Sequence, residues 1–181
     1  RAAIRSPLMD ELELFFAGTG ASVPAARRGL PALLTRLDGD RLLFDCGEGT
    51  QRQLLRSVGL PDLDAVFLTH HHADHWLGLP GMLKTFALRG RDVPITIYGP
   101  PGLSDLFDAL RRIFGKLSYM VELKELRPGD ELIREDYRLV PFAVAHGVSA
   151  VGYALVDDAR PGRFDVQAAD DLARAPLEHL D

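Results

Sequence analysis

Ala65-Val66-Phe67-Leu68-Thr69 is too short and too continuously apolar for an amphipathic helix, and it runs directly into His70-His71-His72-Ala73-Asp74-His75. Such a run predicts a strand buried on both faces, with its carboxyl end delivering a loop that carries the pattern His-x-His-x-Asp-His. Desolvating these groups at a strand end with nothing to bind is costly. The pattern therefore reads as a set of metal ligands, in preference to an exposed histidine cluster or core histidines bonded to backbone.

In an extended or turning segment, residues two apart point to the same side. His70 and His72 can then face one metal while Asp74 and His75, past the turn, face a second. Imidazole and carboxylate ligands suit zinc and other borderline divalent ions, and a mixed set leaves coordination positions open for catalysis. Two such ions about 3.5 to 4 Å apart lower the pKa of a water and clamp a phosphoryl oxygen, so the reaction class is hydrolysis. A His-x-His pair needs a third protein ligand. His146, in Ala145-His146-Gly147 after a second strand, is favoured over His71, which points away from its neighbours, and His179, which lies in a polar tail.

With 46% hydrophobic and 26% charged residues among 181, the composition is that of a soluble globular sequence of one domain or slightly more. A domain of this size removes roughly 70% of its unfolded surface from water without metal or disulfide staples. The formal charge of -5, from 21 basic and 26 acidic residues, excludes holding nucleic acid by bulk electrostatics, so any such site must be local. The single Cys46 can form no intrachain disulfide and fits a reducing compartment. No apolar run approaches the roughly 18 residues that cross a bilayer, so no membrane partner is expected and the expected location is the cytoplasm. Met9 directly precedes the first strand-like segment, and residues 1–8 are read as an N-terminal extension.

Around the histidines, the pattern predicts a strand over Glu11 to Ala17 ended by Gly18-Thr19-Gly20, and a hairpin about Asp38-Gly39. A short helix follows over Glu48 to Val58, with Leu54, Leu55 and Val58 as its apolar positions and Gly59 and Pro61 as its stop. Leu77 to Leu88 reads as a helix and Val93 to Tyr98 as a strand. Ser104 is expected to cap a helix whose apolar stripe is Leu106, Phe107, Leu110, Ile113 and Phe114, with Asp108 paired to Arg112. From Ser118 the segments shorten into an antiparallel meander through Tyr137 to Val144 and Val151 to Val156. After Asp157 no apolar periodicity continues.

The histidine pattern resembles that of the metallo-β-lactamase superfamily, and further strings resemble its ribonuclease Z family of tRNA 3′-processing endoribonucleases. These are Phe16-Ala17-Gly18-Thr19-Gly20-Ala21-Ser22-Val23-Pro24 with Arg28, Leu43-Phe44-Asp45-Cys46-Gly47-Glu48-Gly49-Thr50-Gln51, Gly78-Leu79-Pro80-Gly81, Tyr98-Gly99-Pro100, and His146-Gly147-Val148 followed by Gly152-Tyr153. In order and spacing they cover roughly Glu11 to Gly162. The resemblance implies an α/β fold, the four-layer αβ/βα sandwich, of which this chain supplies the N-terminal half and the start of the second sheet. Residues 9–157 would be that part of the domain, and residues 158–181 the start of a tRNA-gripping arm.

It also implies two zinc ions, with His70, His72 and His146 on the first and Asp74 and His75 on the second. Asp74 matches the family's general base as well. The implied reaction is cleavage of precursor tRNA at the 3′ trailer, leaving a 3′ hydroxyl, by an enzyme that forms a homodimer at full length. Asp45 is either a carboxylate that supports the ligand loops by hydrogen bonding or an ordinary loop aspartate. Gly18-Thr19-Gly20 with Arg27 or Arg28 either steadies an RNA phosphate or is a glycine turn with solvated arginines. Cys46, Trp76 and Tyr98 are expected to pack in the core. The family's bridging aspartate and last histidine are not matched, since neither Asp170-Asp171 nor His179 sits in the right setting. Two alternatives follow: a non-catalytic zinc-binding fragment, and a metallo-phosphodiesterase acting on small substrates.

Overall fold

The chain is described by a computed structural model over residues 12–37, 39–135 and 137–157. The expected extension over 1–8, the arm over 158–181, Asp38 of the predicted hairpin, Asp170, Asp171 and His179 lie outside the described residues.

Six strands form the first sheet in the order in which they occur: β1 (Glu13–Gly18), β2 (Ala32–Leu37), β3 (Asp40–Phe44), β4 (Ala65–Phe67), β5 (Ile95–Gly99) and β6 (Val121–Glu125). β1 to β3 pair antiparallel through the predicted hairpin, with Leu37 opposite Asp40, whereas β3 to β6 pair parallel. Helices make the parallel crossovers: α1 (Thr50–Ser57), the single turn α2 (Ala73–Trp76), α3 (Leu79–Leu88) and α4 (Leu103–Phe114). A second sheet is the antiparallel meander β7 (Leu132–Ile133), β8 (Tyr137–Ala143) and β9 (Val151–Asp157).

Alternation along β4 explains its unbroken apolar run. Val66 and Leu68 pack with Leu54, Met82, Leu83, Phe86 and Phe107 from the helices. Ala65 and Phe67 pack on the opposite face with Leu37, Leu42, Tyr98, Tyr137 and Leu139, so the strand is buried between helices and second sheet. Phe67 stacks between Phe44 and Tyr98 at ring separations of 5.0 and 4.7 Å. Toward the edge the same face opens. Leu14 and Phe16 are exposed, and Leu12, Leu14, Leu33, Phe44, Tyr153 and Leu155 line an apolar groove of about 330 Å³.

Several local expectations are corrected. β6 joins the first sheet in parallel, so the meander starts only at β7. Gly102, at φ 97°, is the N-cap of α4, and Ser104 lies inside the helix. Glu125 Oε1 accepts from both backbone N–H groups, which is why a glycine suffices there. Leu103 replaces Ile113 on the buried stripe, and Ile113 is 77% exposed. Asp108 approaches Arg111, at 4.0 Å, as its ion-pair partner. In α1 only Leu54 of the three expected apolar positions is buried.

Candidate metal centre

The histidine segment is divided between two kinds of backbone. His70 and His72 lie on the extended exit from β4, but Asp74 and His75 sit on α2, for which His72 is the N-cap. The cluster is thus half loop and half helical turn. That turn is clasped to the residues after β3: Cys46 N–H donates to the His75 carbonyl at 2.7 Å, and Gly78 N–H donates to the Cys46 carbonyl at 2.9 Å. Trp76 Nε1 closes the loop onto the His71 carbonyl at 3.0 Å.

His146 arrives from the connection between β8 and β9. An antiparallel bridge between His70 and Ala150, with Val151 N–H donating to the Thr69 carbonyl at 2.9 Å, brings that connection to the end of β4. Tyr153 Oη donates to the Leu68 carbonyl at 2.9 Å beside it. One nitrogen from each of His70, His72 and His146 lies within 4.8 Å of the others. His72 Nδ1 and His146 Nε2 face each other at 3.2 Å. Two nitrogens on a tetrahedral zinc with bonds of about 2.0 to 2.1 Å would stand about 3.3 Å apart, so the His72–His146 pair has the spacing of two donors on one zinc-sized ion, with a His70 nitrogen within 4.8 Å of both.

Asp74 and His75 form an adjoining pair, with His75 Nε2 3.6 Å from Asp74 Oδ2 and the His75 ring 4.0 Å from that of His70. His75 turns its other nitrogen to Asp45, Nδ1 to Oδ2 at 2.7 Å. Asp45 is therefore the supporting carboxylate, and Thr69 N–H also donates to its Oδ1 at 2.8 Å. It holds this position at φ 58°, a left-handed backbone that aspartate tolerates better than most side chains. Ser22, also left-handed, donates its N–H to Asp74 Oδ2 at 2.9 Å. Sequence reasoning assigned no role to Ser22 or to the Thr69 hydroxyl.

Electrostatics follow from these contacts. Burial, then the charges of His75 and His146, push His70 down to about 4, leaving a neutral imidazole with a lone pair to donate. Burial opposes a charge on His75, but the Asp45 hydrogen bond and charge outweigh it and raise its pKa. For Asp74, burial raises the pKa less than the Ser22 N–H and the His75 charge lower it, so it stays ionised.

The remaining expectations sort cleanly. His71 does turn away, toward Gly102 at the start of α4. Cys46 is fully buried, and desolvation raises its thiol pKa well above the ordinary value. Tyr98 is buried in the aromatic stack, and Trp76 packs against the helix-side core. Gly20 N–H is spent on the Gly29 carbonyl at 2.8 Å, and a Cβ on Gly18 would lie 1.7 Å from the Leu30 carbonyl oxygen. The glycines there serve close backbone packing. A cavity of about 450 Å³ between α4 and β6 is lined by none of the candidate ligands.

The model of the metallo-beta-lactamase superfamily matches residues 31–161. A ribonuclease Z of Myxococcus xanthus is 45% identical over 91% of this chain and 54% of its own length. A ribonuclease Z of Methanosarcina mazei is 40% identical over 91% of this chain and 55% of its own. The chain spans about half the length of the curated relatives it matches. The crystal structure of the short form of human tRNase Z superposes with a TM-score of 0.71 at 32% identity, covering 80% of this chain and 64% of that one.

Proposed function

This chain belongs to the metallo-beta-lactamase superfamily, and on that premise we propose that its site is that of a zinc-dependent endoribonuclease which removes the 3′ trailer from precursor tRNA and leaves a 3′ hydroxyl. The observation that carries the reading is the convergence of His70, His72 and His146 beside the Asp74–His75 pair. The names of the relatives, ribonuclease Z and tRNase Z, support the substrate.

His70, His72 and His146 would hold one zinc, and Asp74 and His75 would contribute to a second. Bound there, zinc supplies Lewis acidity toward a phosphoryl oxygen and a lowered pKa for the attacking water. Thr69 and Asp45 engage Nδ1 of His70 and of His75 respectively, leaving Nε2 of each ring free to ligate. Asp74 is fixed through Oδ2 by Ser22, and the other carboxylate oxygen accepts the proton of the water.

A polyanionic substrate also finds local charge on this acidic chain. Arg52 and Arg56, one turn apart on α1, line a groove of about 290 Å³, and Arg27 and Arg28 line an adjoining groove of about 310 Å³ that shares Gly29 and Gln53. Like charges at i,i+4 destabilise a helix by a few tenths of a kcal/mol. None of the four arginines has an ion pair among the described residues, which suits contact with phosphates.

Zinc per chain, measured alongside cleavage of a precursor tRNA, tests the reading. The expected result is bound zinc, cutting at the 3′ trailer, and loss of both zinc and cutting in His146→Ala. A chain that binds zinc and never cuts would make the site a non-catalytic metal centre, and a chain that takes up no zinc would end the metal reading altogether.

A further inference from the structure

Asp45 contacts His75 directly, but its relation to His70 runs through a hydroxyl. Thr69 Oγ1 lies 3.1 and 3.0 Å from Asp45 Oδ1 and Oδ2, and 3.0 Å from His70 Nδ1. A threonine hydroxyl has one proton to donate and lone pairs with which to accept, whereas an ionised carboxylate only accepts. If the hydroxyl proton pointed at His70, two oxygen lone pairs would face each other across 3.0 Å at Asp45. The proton therefore goes to the carboxylate, where the bond is charge-assisted. Thr69 Oγ1 is left with lone pairs toward His70, so His70 Nδ1 must carry its ring proton and donate it.

We propose that Thr69 is a positioning residue that passes the acceptor character of Asp45 on to His70, so that one carboxylate sets the tautomer of a ligand in each half of the site. The inference rests on His70 and His75 being ligands, as in the function proposed above. Its consequence is specific: in the neutral form of each ring Nε2 is the bare nitrogen, in His75 because Nδ1–H donates to Asp45 and in His70 because Nδ1–H donates to Thr69. The two halves of the site are then tied to one second-layer carboxylate, and removing the hydroxyl should release His70 while leaving His75 held. The backbone would survive that removal, because Thr69 N–H keeps its bond to Asp45 and the Thr69 carbonyl keeps Val151 N–H.

The test compares the wild-type chain with Thr69→Val, which keeps the shape and loses the hydroxyl, and Thr69→Ser, which keeps the hydroxyl. Imidazole tautomers are read from two-bond proton–nitrogen correlations on the metal-free chain, and zinc affinity from competition with a chelator. The expected wild-type spectrum has His70 and His75 both protonated on Nδ1. Thr69→Val should lose that state at His70 alone and bind zinc more weakly by about 10- to 100-fold, the usual cost of losing an outer hydrogen-bond partner. Thr69→Ser should restore both. A wild-type His70 protonated on Nε2 overturns the proposal, as does Thr69→Ser behaving like Thr69→Val, or Thr69→Val keeping both the tautomer and the affinity. The two readings fail separately: a chain with the expected tautomers that takes up zinc and cuts nothing refutes the proposed function and supports the relay, whereas a chain that takes up no zinc overturns both.

Discussion

Gly47→Ala should damage the fold and the metal centre together, because Gly47 is where the loop after β3 touches the helical half of the ligand segment. A Cβ at Gly47 would stand 2.4 Å from the Asp74 carbonyl oxygen, 2.5 Å from Leu30 Cβ and 3.1 Å from the Leu30 carbonyl carbon. Cβ contacts below 3.0 Å do not persist, so the Asp74 carbonyl must retreat by more than half an ångström. Neither obstacle is the tip of a flexible side chain. Overpacking of this kind costs about 1 to 3 kcal/mol, and the backbone neighbours place this site at the upper end. At about 2 to 4 °C per kcal/mol for a chain of this length, the melting temperature should fall by roughly 6 to 12 °C. The displaced residue is itself a candidate ligand and precedes another, so zinc bound through Asp74 and His75 should weaken more than zinc bound through His70, His72 and His146. Gly81→Ala is the control, since nothing lies within 4 Å of a Cβ there and the position is inside α3. Alanine should stabilise it by about 0.5 to 1 kcal/mol. Thermal melts and zinc titrations of both variants decide the matter. Gly47→Ala melting with the wild type, or losing stability while keeping both zinc affinities, would refute the argument that this close approach aims the ligands.

Two other perturbations test other parts of the molecule. The double substitution Arg52→Glu with Arg56→Glu should weaken binding of precursor tRNA and lower the slope of log affinity against log salt by about one to two, while leaving zinc content unchanged; an unchanged slope would remove the α1 groove from the RNA path. Tyr119 donates to the Leu83 carbonyl at 2.8 Å, and its burial, partly offset by the charge of Arg91, pushes its pKa up to about 12. Because the unfolded phenol releases its proton near its ordinary value of about 10 and the folded one near 12, the unfolded state binds fewer protons in between, and stability should fall as pH rises through that window. Phenolate absorbance tracked beside far-ultraviolet circular dichroism checks this, and a Tyr119 that titrates at its ordinary pKa in the folded chain would contradict it.

Much of the fold is written locally. β4 announces itself because a strand covered on both faces needs apolar residues at every position, and the β2–β3 hairpin because two apolar runs flank the turn-forming pair Asp38-Gly39. β6 is different. Val121 to Glu125 alternates as an antiparallel strand would, and nothing within those five residues says that its partner is the edge of β5 rather than the next strand along. Pairing partners are a tertiary choice. Ile113 misleads for a related reason: it extends the apolar stripe of α4 by one position, but the sheet covers only the face that carries Leu103, Phe107, Leu110 and Phe114.

The site divides along the same line, between groups that chemistry marks by residue type and groups that act through atoms every residue owns. His146 could be singled out from sequence because a pair of imidazoles would leave a metal short of donors and only a few residue types can supply another; the bridge from His70 to Ala150 brings it beside His70 and His72. Ser22 acts through its backbone N–H and Thr69 through a hydroxyl shared by many unremarkable threonines, so neither leaves a mark in composition or spacing. Yet these unmarked donors decide what the marked residues can do. An unheld Asp74 would rotate, and an unheld His70 would exchange tautomers, each at a cost of the same order as one hydrogen bond. A ligand set read from sequence therefore states which atoms can bind a metal, while the turns around Ser22 and Asp45 state which of those atoms are free to do so.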